Sequence, residues 1–255
     1  MKRKLLFKTA SLLFKYAFPF YKLLYYRFKN KQDAFQIQLM KKLVKKGDGV
    51  LDIGANIGYY SEILSDLVGE NGKVHCFEPD DLNYKYLAKV TRIRNNLSLI
   101  KKAVADDEGK IILYTSDTIN VENTTYKPEH FDSTYTVEKI SVDKYVQQKF
   151  SVSFIKMDIQ GAELKALEGM KQTLLSNKNI SLMTELWPYG LKNCGNTPEQ
   201  IITFLEALEF QIFLINEVAI KKLEPRDIKN FKTDEAFFYN ILVTRKLPES
   251  ISLLD

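Results

Sequence analysis

The spacing of hydrophobic and polar positions changes near residue 47. Before it, apolar residues recur at helical intervals: Leu5 to Phe28 is dense in Leu, Phe and Tyr, interrupted by Lys8, Lys15, Lys22 and Lys29 every seven residues. Phe35, Leu39, Met40, Leu43 and Val44 then share one side of a short amphipathic helix. Beyond the turn Gly47-Asp48-Gly49, apolar runs of strand length alternate with helical stretches. The pattern predicts strands near 49–53, 73–78, 97–102, 152–158, 180–186, 210–215 and 237–243, with helices near 58–68, 80–92, 162–175 and 198–208. Strands separated by helices predict an α/β fold whose mostly parallel sheet is covered on both faces. The chain divides into a basic amphipathic helical extension, 1–46, and a domain, 47–255, with no repeat or low-complexity linker inside it.

Charge sharpens that division. Residues 1–46 hold 13 Lys or Arg against one acid, whereas the remaining 209 residues hold 24 basic against 31 acidic, a net −7. Ten of the 31 aromatic residues fall within 1–35, more than a tail selected for solubility needs. No apolar run there reaches the roughly 18 residues of a membrane-spanning helix. Lys8 and Lys15 interrupt what would be the core of a signal peptide, and Pro19 kinks or restarts the helix. The segment reads as a helix lying in a membrane interface, with residues 1–31 meeting anionic lipid. Packing on its own domain, or on a second subunit in a homodimer, is the competing reading. Single-stranded nucleic acid also suits basic and aromatic interleaving, but the net acidic domain argues against a nucleic-acid partner. Cys76 and Cys194, 118 positions apart with no Cys or His at zinc-site spacing, fit a reducing cytoplasm, at the inner face of a membrane if the extension docks there.

Chemistry concentrates at strand ends. Val50-Leu51-Asp52-Ile53-Gly54-Ala55-Asn56-Ile57-Gly58 is a strand running through a small-residue turn into a helix. Gly54 lets a ligand approach the backbone, and the helix start offers unpaired N–H groups. It is neither the dinucleotide fingerprint Gly-x-Gly-x-x-Gly nor a phosphate-binding loop. Glu78, 24 residues after Gly54, ends the next strand before Pro79, where a carboxylate accepts hydrogen bonds from the vicinal hydroxyls of a ribose. Asp52, Gly54, Asn56, Gly58 and Glu78 therefore form a candidate nucleoside-binding set.

Asp-Ile-Gly-Ala-Asn-Ile-Gly-Tyr-Tyr-Ser (52–61), Phe-Glu-Pro (77–79), Ser-Val-Asp (141–143), Lys-Met-Asp-Ile-Gln-Gly-Ala-Glu (156–163) and the strand end at Glu185 resemble, in order and spacing, the motifs of the FkbM-type S-adenosylmethionine-dependent methyltransferases. The resemblance covers about 47–245. It implies a Rossmann-like class I methyltransferase fold of seven strands, the last antiparallel, and methyl transfer to oxygen, commonly of a sugar or natural-product hydroxyl. Gln160 stands where many members carry Glu.

Methyl transfer from a sulfonium needs in-line approach of the acceptor and no acid for the leaving group, while a base helps a hydroxyl acceptor. Asp158, at the end of the central strand, is expected to shape the donor pocket and take the proton, with Lys156 on the same strand face beside it. Glu185 is expected to point into the same crevice. Glu163, near a helix start, serves equally as a cap. Asp158, Glu163 and Glu185 are also an alternative set for a divalent cation polarising a diol. His75 reads as a core residue. His130, in the polar excursion 116–139, is a second candidate base; Tyr126, Phe131 and Tyr135 there, with Trp187 and Tyr189 opposite, are candidates to stack on a small-molecule or glycan acceptor. Two other functions compete: a non-catalytic nucleoside-binding protein that recruits partners, and an RNA or protein methyltransferase.

Overall fold

The structure, a computed structural model, describes residues 10–115, 123–147 and 149–253. Two helices, α1 (10–16) and α2 (Phe18–Gln32), meet at Ala17, with Pro19 in the first turn of α2 where its missing N–H leaves no bond unmade. Pro19 thus restarts the helix. Asp33 separates α2 from α3 (Ala34–Leu43). The body then runs β1 (Gly49–Ile53), α4 (Tyr59–Val68), β2 (Lys73–Phe77), α5 (Asp81–Thr91), β3 (Leu97–Ile100), β4 (Ala103–Val104), β5 (Gly109–Thr115), β6 (Ser133–Ile140), α6 (Val142–Val146) and β7 (Phe154–Met157). It continues through α7 (Glu163–Glu168), α8 (Lys171–Ser176), β8 (Ser181–Leu186), α9 (Pro188–Asn193), α10 (Pro198–Glu206), β9 (Gln211–Ile215), β10 (Ile220–Lys222), α11 (Pro225–Lys229) and β11 (Tyr239–Thr244).

The main sheet has the order β10-β9-β11-β8-β7-β1-β2-β3. Strands β3, β2, β1, β7 and β8 are parallel, and β11 inserts antiparallel between β8 and β9. The seven expected strands are all present, and β10, antiparallel to β9 at the edge, is an eighth. Central strands are apolar on both faces because both are covered: Val50 and Phe154 enter one core with Leu64 and Leu242, Leu51 and Ile155 the other with Leu167 and Ile241. Leu39 and Met40 of α3 belong to the first of these cores, so the end of the extension is built into the body.

Three features depart from the sequence pattern. Part of the 116–139 excursion is strand: β6 pairs antiparallel with β5 and parallel with β4 in a separate small sheet. Its polar alternation hid it, since Leu113, Val137 and Ala103 bury one face while the other meets water. Residues 116–122 of that excursion lie outside the described residues. The single helix expected over 162–175 is broken in two at Gly169, where a Cβ would lie 2.0 Å from the Ala105 carbonyl oxygen. Asp143 of the Ser-Val-Asp motif secures the break by accepting the N–H groups of Gln172 and Thr173 at 2.9 and 2.7 Å. Finally, α1 and α2 pack on the body: Phe14 and Phe18 are buried with Ile57 against Tyr86, the Phe18 and Tyr86 rings stacked at 3.7 Å.

Candidate active site

The order of the sheet makes a crevice where β2 and β7 flank the carboxyl end of β1, the usual ligand position in such folds. Gly54 builds it: with φ +81° it turns the chain so closely past β7 that a Cβ would lie 2.0 Å from the Asp158 carbonyl oxygen. The Gly54 and Ala55 N–H groups both donate to the Phe77 carbonyl, folding the turn over the end of β2. Asn56, also at positive φ, accepts the Ile57 N–H through Oδ1 at 2.7 Å and lines the cavity. Gly58 caps α4 in a left-handed conformation and faces Leu87, so its part is in the turn and not in the cavity lining.

Glu78 sits at the end of β2 and lines the cavity. Its two oxygens accept the Asn56 N–H at 2.8 Å and the Asp80 N–H at 3.0 Å, and burial pushes its carboxyl up to about 8. Asp52 lies beneath the turn instead, outside the cavity lining, accepting the Ser61 hydroxyl at 2.5 Å. Burial raises it to about 6 against the opposing pull of that hydrogen bond and of Lys156. Asp52 thus ties β1 to α4, a supporting position one layer behind the expected ligand contact.

Asp158 follows β7, its N–H on the Ile53 carbonyl, and its Oδ1 accepts the Gln160 side-chain amide at 2.7 Å. The Gln at 160 therefore orients Asp158, a contact that an ionised Glu could not donate. Glu185, at the end of β8, lines the same cavity, and burial followed by the nearby Asp158 charge holds its carboxyl well above the usual range, opposed by Lys156 and Lys29. Lys156 is buried, donates to the Met157 carbonyl at 3.2 Å and lies 5.1 Å from the Tyr60 ring centre. Glu163 turns away from the cavity: Oε1 accepts the Ile159 and Gly161 N–H groups, Oε2 has no hydrogen-bond partner among the described residues, and burial raises the group to about 7. With Glu163 spent on the Ile159 and Gly161 amides of the turn before α7, the three-acid cation set does not assemble, and no cluster of three such ligands occurs among the described residues.

His130 is exposed and does not line the cavity, which removes the geometric basis for its role as base. His75 stacks on Phe150 at 4.2 Å and meets the Tyr145 hydroxyl at 2.8 Å, and burial lowers it to about 4. Tyr126, Phe131 and Tyr135 also stay off the cavity wall: Tyr135 donates its hydroxyl to Asp80, and Phe131 packs edge-on to Tyr114. Trp187 lines the cavity with its indole N–H on the Glu235 carbonyl, while Tyr189 stands behind it.

The cavity, about 350 Å³, has a wall that the motifs did not announce: Tyr25 and Lys29 of α2, beside Tyr59, Tyr60 and Phe238. Lys29 pairs with Asp33 at 2.5 Å, and Asp33 accepts the Tyr60 hydroxyl at 2.6 Å. The Tyr59 hydroxyl donates to Asn30 at 2.9 Å, and Lys22 pairs with Glu62 at 3.0 Å. The extension is thus part of the site and not separate from it. The dense aromatics of 1–35 were the signal that could have shown this.

The doubly wound sheet with this crevice is the Rossmann-like fold of the class I methyltransferases. Residues 52–212 match the model of the methyltransferase FkbM domain, and the chain belongs to the FkbM methyltransferase family. The curated 2-O-methyltransferase NoeI of Sinorhizobium fredii is 26% identical over 166 residues, which span 56% of this chain and 65% of NoeI, just under two thirds of that protein. Ribosomal RNA large subunit methyltransferase E of Methanothermobacter thermautotrophicus is 45% identical over 49 residues, 19% of this chain and 23% of that one. A solved structure described as an rRNA methylase, from Clostridium thermocellum, superposes with a TM-score of 0.53 at 14% identity, covering 88% of this chain and 97% of that one, a likeness of fold. The methyl donor suits the cavity: a glycine no side chain can replace, a buried carboxylate at the second strand end and acids at the far end.

Proposed function

We propose that the protein transfers a methyl group to a hydroxyl oxygen of a saccharide-bearing acceptor at the cytoplasmic face of a membrane. The observation that carries the reaction is the placement of Asp158, held by Gln160, beside Glu185 in the cavity that reaches Glu78. S-adenosylmethionine supplies an electrophilic methyl group whose transfer leaves a neutral thioether. Glu78 accepts hydrogen bonds from the ribose hydroxyls, and Gly54 lets the donor lie against the backbone. Asp158 takes the proton of the acceptor hydroxyl as the oxygen attacks, and Glu185, whose carboxyl burial pushes well above the usual range, hydrogen-bonds the acceptor. Tyr25, Trp187 and Phe238 offer apolar faces to a sugar ring and keep water out.

Oxygen as the target is supported by the activity in the name of NoeI. RNA is disfavoured by the acids Glu78, Asp158, Glu185 and Glu235 in the lining, against Lys29 and Lys102. The membrane is supported by the charge excess of the first 46 residues; no helix among the described residues is long and apolar enough to cross one. Labelled donor incubated with fractionated lipids, glycans, RNA and protein tests the acceptor: label in a glycan or saccharide-lipid fraction is expected, and label confined to RNA or protein overturns it. Asp158→Asn should lower turnover about 10²–10⁴-fold with donor affinity nearly unchanged. Loss of donor binding instead would make Asp158 a donor ligand.

A further inference from the structure

Of the lysines that recur every seven residues, Lys8 lies outside the described residues and the other three do not share one face. Lys22 and Lys29 point inward, to Glu62 and Asp33. The outer face of the same helices carries Tyr16, Phe20, Leu23, Leu24 and Phe28, each exposed, with Tyr16 at 77% and Phe28 at 63%. Lys15, Arg27 and Lys31 are exposed with them, and at helical spacing Arg27 and Lys31 fall within the apolar stripe of α2. An apolar face this dense is unusual on a soluble surface. Cations set among its apolar groups suit one covering better than others, because long basic side chains reach from an apolar layer to headgroup phosphates.

We infer that the outer face of α1 and α2 docks on an anionic bilayer through Tyr16, Phe20, Leu23, Leu24 and Phe28, with Lys15, Arg27 and Lys31 meeting lipid phosphates. This rests on the membrane reading above and names the surface responsible. The inner face of α2 is the cavity wall formed by Tyr25 and Lys29. One helix thickness, about 10 Å, therefore separates the bilayer from the site, so an acceptor anchored in that leaflet is within reach.

The test is sedimentation of the full-length protein with phosphatidylcholine vesicles, with and without phosphatidylglycerol. Binding is expected only with the anionic lipid, weakened by salt. The double variant Arg27→Gln/Lys31→Gln should lower the partition coefficient roughly 25-fold, and Leu23→Ser/Leu24→Ser should lower it too. Lys171→Gln/Lys178→Gln, an equal charge change at other exposed positions, should leave it unchanged. Donor affinity, followed by calorimetry in each variant, should stay at the level of the parent, which separates loss of docking from failure of the methyltransferase reading. Indifference to phosphatidylglycerol, undiminished binding by Arg27→Gln/Lys31→Gln, or a dimer in the ultracentrifuge that Leu23→Ser/Leu24→Ser dissociates would overturn the inference.

Discussion

Glu78 is a carboxyl group in a dry place, where two backbone N–H groups offset part of the cost of its charge. Two predictions follow from its position. A hydrogen bond from a ligand hydroxyl to a buried charge contributes about 1.5–3 kcal/mol, so above about pH 8, where Glu78 is ionised, Glu78→Ala should weaken S-adenosylmethionine binding roughly ten- to a hundredfold by calorimetry. Because its folded-state carboxyl lies at about 8, above the ordinary 4.5, the stability it contributes is fully present below about pH 4.5 and is lost as pH rises through 8. Thermal unfolding of the ligand-free protein should thus fall in temperature across that window, with Glu163 and Asp52, also raised by burial, acting in the same direction over their narrower ranges. Glu78→Gln should flatten part of the slope; an unaltered slope would remove Glu78 as its source. The position of Glu78 at the cavity was legible because Pro79 ends the strand there. That of Asp52 was not: the motif places it before the turn but not on a strand face, and its side chain lies under α4 on Ser61.

Among the elements, those with periodic apolar runs were read correctly and those with alternating polar runs were not. Strands β1, β2, β7 and β8 are buried on both faces and announce themselves as continuous hydrophobic runs. Strand β5 was not among the expected strands, and β6, with one face in water, carries Thr134, Thr136 and Glu138 at every other position and passed for a polar excursion. It nevertheless touches the site from behind, since Tyr135 bonds Asp80, the cap of α5 next to Glu78. The N-terminal helices pose the opposite case. Their pattern is amphipathic with two apolar sides, and the sequence could not say which side is covered by protein. Phe18, stacked on Tyr86 and 6% exposed, marks the inner side. Phe18→Ala should lower the unfolding free energy by about 3–5 kcal/mol, measured in urea, whereas Phe20→Ala on the outer side should change it little. Equal effects would mean that the two faces are not distinguished in solution.

At the scale of the whole molecule, charge and composition suggest a basic appendage joined to an acidic enzyme, two parts that separate cleanly. The contacts join them. Phe14 and Phe18 pack on Tyr86 of α5, and Lys22 and Asn30 hold Glu62 and Tyr59 of α4. Lys29 and Asp33 hold Tyr60, and Tyr25 and Lys29 complete the cavity. The helix that starts from the Gly54 turn is therefore braced on one side by the sheet and on the other by α2. Deleting residues 1–31 removes Tyr25, Lys29 and both phenylalanines at once. It opens the cavity to water and leaves the Tyr59 hydroxyl and Glu62 without these partners. The truncated protein should unfold at lower temperature and bind S-adenosylmethionine at least about tenfold more weakly, since each desolvated hydrogen bond lost is worth about 1 kcal/mol or more. Because a deletion can also unfold the chain, the same measurement on full-length Tyr25→Ala/Lys29→Ala isolates the wall: weaker donor binding with Phe14 and Phe18 still seated is expected. Donor affinity equal to the parent in both proteins would show that α2 only shelters the site from lipid and water and takes no part in holding the donor.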